Sequence, residues 1–132
     1  MTDACRNFID GALRESRTTE WLDLTNPATG ELLARLPLST PADVDDAVRS
    51  AQSAFRTWGE TPVVERARVL FRFKQKLEEH RRELVELVVI DNGKTLAEAQ
   101  GDVQRGIEVV EFATGIPSLS MGMVMEIGRA HV

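Results

Sequence analysis

Few side chains in this sequence stand in patterns that do chemistry. Cys5 is the only thiol, and it has no basic partner in a defined geometry, so it reads as an unreactive residue of a frayed N-terminus. His80 sits inside the charged run from Glu78 to Glu83 and reads as solvated. With His131 as the only other histidine, no zinc-ligand spacing exists, and one cysteine cannot close an internal disulfide. Gly101 and Gly106 enclose four residues as a phosphate loop does. No Lys-Ser or Lys-Thr follows Gly106, and the pattern there is helical, so the phosphate reading fails. Asp43, Asp45 and Asp46 could suggest a cation, but acids in a first helical turn are explained by the helix dipole. Arg105 is the remaining candidate. It shares a helix face with Val109 and Phe112, which is not a solvated face, yet Asp102 and Glu108 are each three positions away and could pair with it.

The elements that must carry these residues fall in three regions. To about residue 38 the chain reads as strands. Asp10-Gly11 between the apolar pairs Phe8-Ile9 and Ala12-Leu13 is a strong hairpin signal, because both turn positions want positive φ. Trp21, Leu22 and Leu24 lead into the turn Asn26-Pro27-Ala28-Thr29-Gly30, and Leu32 to Leu36 return, stopped by Pro37. Thr40-Pro41 with Asp43 three past the cap opens a helix whose stripe is Val44, Ala47 or Val48, Ala51, Phe55 and Trp58, ended by Gly59. Thr61-Pro62 repeats the start signal, and Val63, Ala67, Leu70, Phe73 and Leu77 form the next stripe. The run Glu78 to Glu83 predicts an exposed bend. Leu84, Leu87, Val88 and Ile90 resume the stripe up to Asn92-Gly93.

The third region starts at Thr95. Leu96, Ala99, Val103, Ile107 and Val110 make one face of a helix that ends near Thr114-Gly115. Arg105, Val109 and Phe112 are offset from it by roughly half a turn. A helix apolar on two sides needs cover on two sides, and no later segment of these 132 residues can supply it.

Composition narrows the function classes. At 42% apolar and 28% charged residues, the chain has ordinary globular composition and room for a single domain. A net charge of −5 argues against generic attraction to nucleic acid or anionic lipid. No apolar run approaches a bilayer span, and the acidic start lacks the form of an export signal, so a reducing, cytoplasmic setting is expected.

Several motifs together resemble the start of the aldehyde dehydrogenases. They are Asn26-Pro27-Ala28-Thr29-Gly30-Glu31, Trp58 with its loop, the arginine-rich helix after Pro62, and Ile90-Asp91-Asn92-Gly93-Lys94-Thr95, in that order and spacing. The run from Gly101 to Phe112, with Phe8-Ile9-Asp10-Gly11 and Gly115-Ile116-Pro117-Ser118-Leu119, is similar to the CoA-acylating methylmalonate-semialdehyde dehydrogenases. The resemblance implies an α/β parent fold with a dinucleotide-binding sheet, of which residues 1–125 are the leading part: a β-hairpin and strands followed by three to four α-helices. Glu126 to Val132 do not continue the pattern. Residues 127–132 match the translation of a common sequencing adapter, so a non-native tail is expected over 126–132.

The resemblance also implies a function. The parent would oxidise methylmalonate or malonate semialdehyde through a cysteine thiolate, with NAD as hydride acceptor and CoA as acyl acceptor. Carbon dioxide and propionyl-CoA or acetyl-CoA would be the products, in valine or inositol breakdown, and the parent would be a homo-oligomer. The family's nucleophilic cysteine, general-base glutamate, oxyanion-hole asparagine and nucleotide-phosphate loop have no counterpart here, so this segment alone is expected to be inactive. One substrate-binding residue carries over: Arg105, whose motif arginine holds the substrate carboxylate in that subfamily. A guanidinium fork suits this role, since it meets a carboxylate with two parallel hydrogen bonds. Two other readings remain at this point. One is a stand-alone helical interaction module whose two-faced helix is covered by a partner or a second copy. The other is an aldehyde dehydrogenase that releases a free acid.

Overall fold

The computed structural model describes residues 4–122. The expected tail over 126–132, with His131 in it, lies outside the described residues. Two antiparallel pairs come first: β1 (Asn7–Ile9) with β2 (Ala12–Arg14), and β3 (Trp21–Thr25) with β4 (Leu32–Pro37). Asp10 and Gly11 at the first turn have φ of 56° and 71°, the left-handed pair that matches the twist of a two-residue hairpin. In the second turn the Asn26 side chain accepts from the Ala28 N–H at 2.9 Å, and Gly30 N–H donates to the Asn26 carbonyl at 2.7 Å. Pro37 does not stop β4 before it. It is the strand's buried last residue, opposite Trp21, where a missing N–H costs little.

Five helices follow among the described residues: α1 (Pro41–Trp58), α2 (Val63–Glu79), α3 (Arg81–Asn92), α4 (Leu96–Ala113) and the short α5 (Ile116–Leu119). The fifth was not anticipated. Thr40 caps α1 in a reciprocal box with Asp43, and Pro41 occupies the first turn, where its lack of an N–H is harmless. The second start signal marks the beginning of α2 but does not form the cap. The Thr61 hydroxyl donates back to the Thr57 carbonyl at 3.0 Å, so Pro62 stands at the cap position without a side-chain cap. The charged run is a joint between α2 and α3, centred on His80. Gly93 ends α3 at φ 66°, and a Cβ there would lie 2.8 Å from Pro27 Cγ. Glycine is needed twice at this point, for the left-handed cap and for close packing of the Asn26–Gly30 turn.

The described core is small. Ala67, Val85, Ala99 and Ile107 are the buried hydrophobic residues, gathered where α2 and α3 pack on α4. Val85 lies outside the stripe read from sequence, whose members Leu87 and Ile90 are exposed. The α1 stripe forms as a stripe but stays open: Val44, Val48, Phe55 and Trp58 are all exposed. Among the described residues α1 packs mainly against β1 and is held at its start by the loop after β2.

Candidate functional site

The site is built around α4, and its entry is tightly specified. Gly93 ends one helix and Thr95 begins the next, leaving Lys94 alone between two caps. The Glu98 carboxylate accepts from the Thr95 hydroxyl at 2.7 Å and from the Thr95 N–H at 3.0 Å, while Glu98 N–H donates to the Thr95 hydroxyl at 3.3 Å. This reciprocal box fixes the first turn of α4 and hence the rotation of every later side chain. Ala99 and Ile107 turn into the core, and Glu98, Gly101, Asp102, Arg105, Val109 and Phe112 share the opposite face. Phe112 is 72% exposed and Val109 63%, so this second apolar face exists and is uncovered among the described residues.

Arg105 lies in an open cleft of 370 Å³ with Lys94, Glu98, Gly101 and Asp102. Each acid that could neutralise it is engaged elsewhere. Glu98 is held by Thr95. Asp102 forms an ion pair with Lys94. Glu108 accepts from the Gln104 amide at 2.8 Å. The local pairs that sequence spacing allowed, with Asp102 or Glu108, therefore do not form. The Lys94 ammonium lowers the Asp102 carboxyl from its ordinary range by hydrogen bonding and charge, and the Arg105 guanidinium adds to this from a distance, against the opposing effect of burial. The result is a guanidinium presented on a half-apolar face, suited to binding an anion that carries a short hydrocarbon body.

The other sequence candidates fall away or change meaning. Cys5 is half-buried, and its N–H donates to the Arg35 carbonyl at 2.8 Å. The segment is thus tied to β4 and is not frayed. The cleft beside Cys5 is lined by Ala4, Arg6, Glu15, Ser16 and Trp21, with no histidine to serve as base. His80 is exposed and meets Glu83 at 3.0 Å across the helix joint. Among the described residues no cluster of His, Cys, Asp or Glu could hold a metal ion. Gly101 and Gly106 are mid-helix, not a phosphate loop. Asp43 does more than answer the helix dipole. It is buried and accepts from the Ser16 hydroxyl at 2.7 Å, the Thr40 N–H at 2.9 Å and the Arg17 N–H at 3.4 Å. These bonds, led by Ser16, lower its pKa to about 2. Sequence reading missed Lys94 as well. Its pairing with a residue eight positions on depends on the turn between two caps, which no helical spacing rule encodes.

No dinucleotide cradle is present among the described residues. The strands form two separate antiparallel pairs, and no glycine-rich turn leads from a strand into a helix. No helix among them is long and apolar enough to cross a membrane. Solved structures of larger proteins superpose on these strand pairs and helices. The chain belongs to the aldehyde dehydrogenase family, whose model matches residues 13–131.

Within that family, its relatives include malonate-semialdehyde dehydrogenase 2 of Oceanobacillus iheyensis, 56% identical over 117 residues. The match covers 89% of this chain and 24% of that protein. Malonate-semialdehyde dehydrogenase 1 of Geobacillus kaustophilus is 54% identical over 121 residues, covering 92% of this chain and 25% of the relative. Among solved structures, a methylmalonate-semialdehyde dehydrogenase from Oceanimonas doudoroffii superposes with a TM-score of 0.87 at 42% identity, covering 97% of this chain and 26% of its own. A Sinorhizobium meliloti protein assigned to the same activity and solved with NAD gives 0.91 at 37% identity, covering 98% of this chain and 26% of its own. The chain thus spans about a quarter of the length of the proteins it matches.

Proposed function

We propose that this chain is part of an oxidoreductase acting on malonate or methylmalonate semialdehyde, with NAD as oxidant and CoA as acyl acceptor. The segment supplies scaffold and one substrate-binding group, and it is inactive by itself. The observation that carries the reading is Arg105. Its guanidinium makes no hydrogen bond or ion pair among the described residues, although Asp102 and Glu108 are both in range by spacing. A free guanidinium beside Val109 and Phe112 suits a small aldehyde that ends in a carboxylate. Relatives more than half identical, named for malonate semialdehyde, support the substrate class. The described residues offer nothing that fits NAD or CoA, so both groups would be held by the rest of the enzyme.

In the chemistry of such a substrate the carboxylate must be held without being protonated. A bidentate arginine does this at fixed geometry and places the aldehyde carbon at a set distance from the guanidinium. Charge-assisted hydrogen bonds of this kind contribute about 1.5–3 kcal/mol, or roughly 10- to 150-fold. In the full-length enzyme, Arg105→Leu therefore lowers kcat/KM for malonate semialdehyde at least tenfold relative to propanal. Equal losses on both aldehydes would refute the assignment. We also propose that residues 126–132 are not native. A genomic locus that encodes them in an uninterrupted reading frame would overturn that, and the family match through residue 131 makes the comparison worthwhile.

A further inference from the structure

The acid nearest Arg105 in sequence is also its natural competitor. Asp102 and Arg105 are three apart on one helix face, a spacing at which opposite charges ordinarily meet. Here the Asp102 carboxylate is turned to Lys94. Lys94 comes from outside α4, and its backbone is fixed between the left-handed cap at Gly93 and the N-cap at Thr95. Glu98, the other acid lining the cleft, is committed to the Thr95 cap. Of the two acids in the cleft, only Asp102 is restrained by a separate cation.

We infer that Lys94 is a positioning residue: by holding the Asp102 carboxylate, it keeps the Arg105 guanidinium available to a carboxylated substrate. This rests on the reading of Arg105 as the carboxylate-binding group. Without Lys94, Asp102 turns onto Arg105 and competes with the substrate. On an exposed helix such a pair shifts an equilibrium about twofold. If the rest of the full-length enzyme covers this open cleft, the same charges interact more strongly, so a rise in KM of about fivefold is expected there. The effect falls on KM for the semialdehyde, not on kcat, and not on propanal, which has no carboxylate to lose.

Two measurements test this. In the 132-residue chain, NMR follows solvent exchange of the Arg105 Nε–H. Lys94→Met slows it as Asp102 moves onto the guanidinium, and adding Asp102→Asn restores the original rate. Exchange unchanged by Lys94→Met overturns the inference. The second measurement uses a full-length enzyme in which residues 4–122 replace the matching segment of the Geobacillus kaustophilus relative. Lys94→Met raises KM for malonate semialdehyde about fivefold with propanal within twofold, and Lys94→Met with Asp102→Asn recovers the starting KM. A merely structural role for Lys94 would move both aldehydes together and would not be rescued by a second neutral residue. If Lys94→Met fails to fold, Asp102→Asn alone decides: KM for the semialdehyde stays within twofold, and a large rise overturns the inference. Should Arg105→Leu shift the ratio of the two aldehydes while Lys94→Met does not, the inference fails and the reading of Arg105 stands. Should Arg105→Leu leave the ratio unchanged, the underlying reading fails instead.

Discussion

Two glycines in α4 have no work to do among the described residues. An added Cβ at Gly101 or at Gly106 would meet nothing within 4 Å. Both lie in the interior of an 18-residue helix, and neither has a positive φ. Glycine there costs roughly 0.8–1.0 kcal/mol relative to alanine, through backbone entropy alone. The positions are five residues apart, about 7.5 Å along the axis, and share no partner, so their effects should add. Gly101→Ala with Gly106→Ala is expected to stabilise the 132-residue chain by about 2 kcal/mol. With a urea m-value of about 1–2 kcal/mol/M, each substitution raises the midpoint of helix loss, read by circular dichroism at 222 nm, by about 0.5–1 M. In the full-length enzyme the sign reverses at Gly101, which shares the open face with Val109 and Phe112, because a neighbour packed there would meet the new methyl group; Gly106 lies about 140° around the helix from it, off that face, and keeps its gain. A loss of helix stability from either substitution in the 132-residue chain would mean that the chain itself needs the glycine. A gain from Gly101→Ala in the full-length enzyme would refute the close neighbour.

Two further outcomes follow from local geometry. Thr95→Ala removes the hydroxyl that anchors the Glu98 box, and it should cost about 1 kcal/mol of α4 stability by urea titration, with Thr95→Ser recovering most of it. Asp43 titrates in the folded chain at about 2 instead of its ordinary 3.8, held down by Ser16 and Thr40. A depressed folded pKa means that its contribution is complete above pH 3.8 and is lost as pH falls through about 2. NMR titration of the Asp43 carboxyl should therefore show a midpoint near 2, and Asp43→Asn should flatten the acid limb of stability between these values.

Local signals were legible in the sequence because their causes are local. Asp10-Gly11 demanded positive φ and received it, and Thr40-Pro41 and Thr95 capped the helices they preceded. Thr61-Pro62 marked the start of α2 but not its cap, because the hydroxyl found an acceptor in the preceding helix, the Thr57 carbonyl. What was not legible depends on packing between elements. Hydrophobic spacing marked stripes on α1 and α3 but could not say which residues would be covered. Val85 went in, while Phe55, Leu87 and Ile90 stayed out. Arg105 was legible as a residue on an unusual face. Its freedom from Asp102 was not, because that depends on where the turn at Gly93 sends Lys94.

The uncovered surface is consistent with length and with chemistry. Phe55 and Trp58 on α1, and Val109 and Phe112 on α4, lie in stripes that their helices had no reason to keep unless something covers them. On α2 the Arg66 Nε is buried without an acceptor among the described residues, which is uncommon in a folded protein. An arginine lacking its acceptor, glycines lacking a neighbour and apolar stripes lacking cover are independent observations on three helices. They point to the same remedy, a larger body of protein packed against this one. Relatives about four times as long match most of the chain, as that remedy requires.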